Sequence, residues 1–132
     1  MKFLVCYEEA DPSAKILKEA LAHAKAWNAS LEIVKTITRE LPLKHKQILE
    51  MEQELEATVK AQLQDENVST NTQLVVTQQE SGEKLVAFAD EQNIDMVFLG
   101  IIKRSKVGKL LFGSTAQFVI LNAHCPVVTV KV

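Results

Sequence analysis

The sequence predicts an α/β fold, a five-stranded parallel sheet with helices on both faces, built as a single domain over residues 1–132. Three observations carry that reading. Short apolar, β-branched runs alternate with longer segments that are apolar at helical spacing, in the order β-α-β-α-β-α-β-α-β. Turn and breaker residues fall between them, at Asp11-Pro12, Leu41-Pro42, Asn93-Ile94-Asp95 and Pro126. No internal repeat or low-complexity linker divides the 132 residues, a length that suits one domain.

Phe3–Tyr7 is an apolar run and reads as the first strand, with Glu8-Glu9 at its carboxyl end. Asp11 is then expected as N-cap and Pro12 as the first helical residue of a helix ending near Trp27. Ala14, Leu17, Ala20, Leu21 and Ala24 share one face of it, Trp27 reads as a packing residue, and Asn28-Ala29-Ser30 ends it. Leu31–Ile37 is the second strand. A long polar helix over Leu43 to about Glu66 carries a narrow apolar stripe of Ile48, Met51, Leu55, Val59 and Leu63. Residues 67–72 read as a turn and Gln73–Thr77 as the third strand. Ser81 is expected to cap a third helix that buries Leu85, Phe88 and Ala89. Met96–Leu99 is the fourth strand, a fourth helix starts near Ser114 and carries Phe118, Val119, Leu121 and Ala123, and Val127–Val132 is the last strand.

Composition narrows the function. Fifteen basic against seventeen acidic residues leave a formal charge of −2, which does not suit a nucleic-acid binder, because neutralising several phosphates needs a basic face. No apolar run approaches the roughly 18 residues of a membrane helix. The opening Met1–Glu8 turns acidic too soon for a signal peptide, so a cytoplasmic location is expected. Cys6 and Cys125 form no C-x-x-C pattern and read as two reduced core thiols.

Gly100–Gln117 is the most informative stretch. It holds three of the four glycines and the cations Lys103, Arg104, Lys106 and Lys109, and it runs into a helix at Gly113-Ser114-Thr115. A strand, a glycine-bearing basic loop and a helix start together make an anion site. Glycine permits close backbone approach, and the first N–H groups of a helix lack internal partners and carry partial positive charge. Parallel sheets bind ligands at the carboxyl ends of their strands, where strand order reverses. The loops after the first, second and fourth strands gather there. The P-loop and dinucleotide patterns are both absent.

Gly100, the nine-residue spacer Arg104–Phe112, Gly113-Ser114 and Cys125-Pro126-Val127-Val128 resemble the universal stress protein family, as does the start KFLVCYEEADPSAKILKEALAHAKAW. The resemblance covers the whole chain and implies a Rossmann-like sheet of the adenine nucleotide alpha hydrolase type. It also implies a bound ATP or AMP, with Mg²⁺ as a companion ion. On this reading phosphates meet Gly100, Lys103, Arg104, Gly113, Ser114 and Thr115, and adenosine lies between Tyr7-Glu8 and Thr36. The chain departs from the family's pattern at four places. Lys103 stands at the second signature glycine, Glu8 at the usual Asp, Thr36 at or near the usual Val, and Gln79-Glu80-Ser81 at the Gly-x-Pro entry to the third helix. A left-handed Lys103 costs roughly 1–2 kcal/mol; a charge-assisted phosphate contact returns about as much. The resemblance further implies a homodimer through residues 127–132.

No catalytic constellation is evident. His23 reads as lying on the polar side of the first helix, His45 as opening the long helix, and His124 precedes Cys125. Ser114 has no evident base and reads as N-cap and phosphate donor. Glu8 and Glu9 offer hard oxygens for Mg²⁺ beside nucleotide phosphates, against simple solvation of Glu9. The expected protein is a small stress-response or signalling protein that binds an adenine nucleotide and is not an enzyme. The alternative is a dimeric interaction module of the same family without a ligand.

Overall fold

The computed structural model describes residues 1–8, 10–38, 42–64, 67–101 and 113–132. The elements are β1 (Lys2–Cys6), α1 (Ala10–Trp27), β2 (Ser30–Thr38), α2 (His45–Leu63), β3 (Thr70–Thr77), α3 (Ser81–Glu91), β4 (Met96–Ile101), α4 (Ser114–Asn122) and β5 (Val127–Lys131). The strands form one sheet in the order β3-β2-β1-β4-β5, with every pair parallel. The expected fold is the observed one.

The period-two alternation of the strands divides the core into two layers. Phe3 and Val5 of β1, Tyr7 just beyond it and Phe98 of β4 pack with α1 and α2, while Leu4, Cys6, Val97, Leu99 and Ile101 pack with α3 and α4. Phe3, Leu4, Val5, Ile33 and Phe98 are wholly buried. Both faces are covered, as continuous apolar runs in a parallel sheet require. A methyl on Gly82 would lie 2.8 Å from Phe118 Cβ, so this glycine lets α3 and α4 approach closely.

Helix ends explain most boundary differences. α1 begins at Ala10, so Asp11 is not its N-cap; it lies in the first turn, where its carboxylate still meets the positive helix end. At the other end Asn28 adopts φ 52° and the Ala29 N–H reaches Ala24 O at 2.9 Å. The same closure recurs after α3, with Asn93 at φ 52° and Ile94 N–H on Ala89 O at 3.0 Å. Asn tolerates this left-handed position, and the backward bond satisfies a terminal carbonyl. α2 starts at His45 rather than Leu43, because the Lys44 N–H is held by Gln47 Oε1 at 3.0 Å. It stops at Leu63 because Gln64 turns left-handed, φ 47°.

Other expectations are corrected by tertiary contacts. Residues 70–72 are strand and not turn: Thr70, Asn71 and Thr72 pair with Leu31, Glu32 and Ile33 of β2. β3 is an edge strand, which tolerates a polar sequence that local propensity assigns to a turn. Ser81 is the first residue of α3, preceded by Glu80 in extended conformation, and so is not its cap. Trp27 does not pack in the core; it is 58% exposed. His23 is not simply solvated, since its ring meets Phe98 edge-on at 5.1 Å and its Nδ1 lies 2.9 Å from Glu19 O. Cys125 is only partly buried, unlike Cys6. Leu121 of α4 points outward, 80% exposed, and Ala123 falls just beyond the helix as its C-cap.

Candidate functional site

β1 lies between β2 and β4, so the chain's strand order reverses there. A cavity of about 400 Å³ opens at that reversal, on the carboxyl side of the sheet. β1 and the residues after it supply Cys6 and Glu8, the first turns of α1 Pro12, Ser13 and Ile16, and β4 Leu99 and Gly100. Gly113 through Ala116 and Val119 of α4, with Val132, complete the described wall. The volume is that of a small-molecule site, with apolar residues and a few polar ones in its wall.

The start of α4 is part of the wall. Gly113 is the N-cap and Ser114 the first helical residue, so the hydroxyl expected to cap the helix sits one position inside it. No acidic residue occupies the first turn, so the helix itself places no negative charge at its positive end. The two described glycines here serve different ends. Gly113 has φ −64° and ψ 160°, open to any residue, and a Cβ built on it meets nothing within 4 Å. A Cβ on Gly100 would lie 2.7 Å from Ile16 Cδ1, so that glycine admits α1 against β4.

Glu8 also lines the cavity. Its backbone N–H donates to Ser13 Oγ at 2.9 Å, and Ser13 is wholly buried. Of the residues expected to bind a ligand, Glu8, Gly100, Gly113, Ser114 and Thr115 line the one cavity. Tyr7 is buried in the opposite layer with its hydroxyl donating to Gln62 Oε1 at 3.0 Å, and Thr36 sits in β2 paired with Val75. Neither side chain is among the cavity's lining. Lys103, Arg104, Lys106 and Lys109, like Glu9, lie outside the described residues. The sequence reading missed Cys6, Pro12, Ser13 and Ile16 as lining. The period-two pattern of β1 could have found Cys6, and the helical spacing of residues 12, 13 and 16 the rest.

Burial pushes the Cys6 thiol up to about 12, with smaller upward contributions from the charges of Glu8 and Cys125. Burial also raises Cys125. The sign follows from linkage: a thiol of ordinary value near 9.0 ionises first in the unfolded chain. The Cys6 contribution to stability is therefore intact below pH 9 and lost between about pH 9 and pH 12. Denaturant midpoints should fall across that window in the parent and fall less in Cys6→Ala. Iodoacetamide at pH 8 should label Cys125 well before Cys6, and equal labelling rates would contradict the assignment. His124 Nδ1 pairs with Asp90 Oδ1 at the surface, away from the cavity. Among the described residues, no group of three or more His, Cys, Asp or Glu is placed to hold a metal ion. No helix among them is long and apolar enough to cross a membrane.

The model of the universal stress protein family matches residues 1–131. The chain belongs to the universal stress protein family. A curated universal stress protein of Methanocaldococcus jannaschii is 40% identical over 48 residues, covering 36% of this chain and 28% of that one. One from Mycolicibacterium smegmatis is 38% identical over 73 residues, 55% of each. The matched segments thus span about a quarter and about half of these relatives. Among solved structures, a universal stress protein from Archaeoglobus fulgidus superposes with a TM-score of 0.82 at 30% identity, over 99% of this chain and 98% of that one. A universal stress protein from the same organism in complex with dAMP gives a TM-score of 0.76 at 26% identity, with the same coverage.

Proposed function

We propose that this universal stress protein binds an adenine nucleotide, AMP or ATP, in the cavity between β1 and β4, and acts in a stress or signalling response through its occupancy. The observation that carries the reading is that one cavity is lined both by a helix start whose first turn holds no acidic residue and by Glu8. An anion at the helix start is stabilised by free N–H groups and the helix dipole. A carboxylate in the same wall accepts hydrogen bonds from hydroxyl or amine groups, which a nucleoside supplies. The dAMP complex of the related Archaeoglobus fulgidus protein supports the same ligand class.

In this reading phosphate meets the backbone of Gly100, Gly113 and Ser114 and the hydroxyls of Ser114 and Thr115, with Lys103 and Arg104 assisting. Adenosine extends past Glu8 and the Tyr7 backbone toward Thr36. Where the ligand is ATP, Glu8 can share Mg²⁺ with its phosphates. The protein is cytoplasmic and dimerises through β5. Ser114 serves as a phosphate donor and not as a nucleophile, so any hydrolysis should run far below a typical turnover of about 10 per second.

Denaturing the purified protein and chromatographing the supernatant should release an adenine nucleotide. Calorimetry with AMP, and with ATP and Mg²⁺, should give saturable heat. Absence of both would favour the ligand-free dimeric module, the reading that Lys103 at a signature glycine position also favours.

A further inference from the structure

Ser13 occupies an unusual place in the hydrogen-bond pattern of the sheet. In β1 the even-numbered residues face β4, as the Asp95 N–H to Lys2 O bond of 2.8 Å shows. The odd-numbered residues face β2, as the Tyr7 N–H to Val34 O bond of 2.9 Å shows. The β1–β2 ladder continues to Cys6 and Val34, but the β1–β4 ladder stops at Val5 and Phe98. The Glu8 N–H therefore points to the β4 side beyond the end of that ladder. Ser13 Oγ takes it at 2.9 Å. Ser13 is wholly buried, and both residues line the cavity.

We infer that Ser13 is the positioning residue of the site: its hydroxyl stands in for a β4 carbonyl, keeps β1 and β4 apart at their carboxyl ends, and holds Glu8 at the cavity. A strand end left with an unpaired N–H would otherwise seek a new partner, because an orphaned donor is costly. With the donor satisfied from α1, the gap between the strands stays open and the Glu8 backbone stays fixed. Ser13 acts on the ligand through Glu8 and not by contact. The proposal rests on the nucleotide reading above.

A double-mutant cycle tests it, because coupled residues are non-additive. AMP binding is measured by calorimetry on the parent, Ser13→Ala, Glu8→Gln and the double variant, with stoichiometry reporting the folded fraction. Ser13→Ala should weaken AMP about tenfold in the parent background, the scale of one lost hydrogen bond to a charged or buried group. It should add little once Glu8 is Gln. Ser13→Thr keeps the hydroxyl and should restore affinity. Equal losses in both backgrounds would mean that Ser13 acts only on general stability, and would overturn this inference alone. A parent that binds no adenine nucleotide would overturn the functional reading and this inference together. Amide exchange at Glu8 gives an independent check, since it should accelerate in Ser13→Ala beyond its neighbours; an unchanged rate contradicts the proposed bond.

Discussion

Gly113→Val should abolish the phosphate-dependent part of nucleotide binding while leaving the fold intact. The backbone at Gly113 is extended, φ −64° and ψ 160°, so valine meets no conformational strain there. Beyond its chain neighbours, a Cβ built there meets nothing within 4 Å, so the described packing has room for a side chain. The added methyls instead fill the space over the α4 start, where a phosphate approaches the N–H groups of Ser114 and Thr115. Charge-assisted bonds of this kind contribute about 1.5–3 kcal/mol each, so losing one or more weakens AMP by roughly 10- to 150-fold. Adenosine, without a phosphate, should bind nearly as before. Calorimetry with both ligands checks this, and an unchanged melting temperature confirms that the fold survives. Equal losses for AMP and adenosine would place the phosphate elsewhere.

Thr129→Pro should convert a dimer into a folded monomer. β5 is an edge of the sheet, paired only with β4 among the described strands. Val97 N–H bonds Pro126 O at 3.0 Å and Val132 N–H bonds Ile101 O at 3.1 Å. These bonds turn residues 126, 128, 130 and 132 toward β4, which leaves the N–H groups of Val127, Thr129 and Lys131 facing outward. Proline at 129 therefore breaks no bond within the chain. It removes a donor at the free edge and adds ring bulk there, the usual obstacle to strand pairing. In a two-fold symmetric interface each substitution acts twice. Losing one edge hydrogen bond of about 1 kcal/mol on each side of the interface, with the ring's bulk added, weakens association by about thirtyfold or more. Sedimentation equilibrium at micromolar concentration decides the matter. A monomeric parent overturns the proposed interface, as does a proline variant that stays folded and dimeric.

Much of the architecture was legible in the residues. The alternation of apolar runs with helical spacing identified all nine elements, because side-chain periodicity is a local property of the backbone. Asn28 reads as a helix end and Asn93 as part of a short connection, and both are left-handed. Gly113-Ser114 was read as a helix start beside a strand end, and it borders the cavity. Element ends were less legible. Asp11, Ser81 and Ser114 all have the chemistry of an N-cap, yet each lies inside its helix. Propensity marks the neighbourhood of a helix start, whereas the bonds that form fix its position.

By itself the sequence determined the fold class and the number and type of elements, since these follow from short-range pattern and turn chemistry. Only the tertiary structure decided which side chains meet. It turned Tyr7 into the α2 layer and toward Gln62, left Trp27 exposed, and drew the polar residues 70–72 into β3. It also ended the β1–β4 ladder at Val5 and Phe98, bonded the Glu8 N–H to Ser13, and brought both residues to one cavity with Ser114. Each of these depends on strand register and helix packing between residues distant along the chain, such as Glu8 and Ser114. Those pairings are set by global burial and hydrogen-bond satisfaction, which no local window of sequence contains.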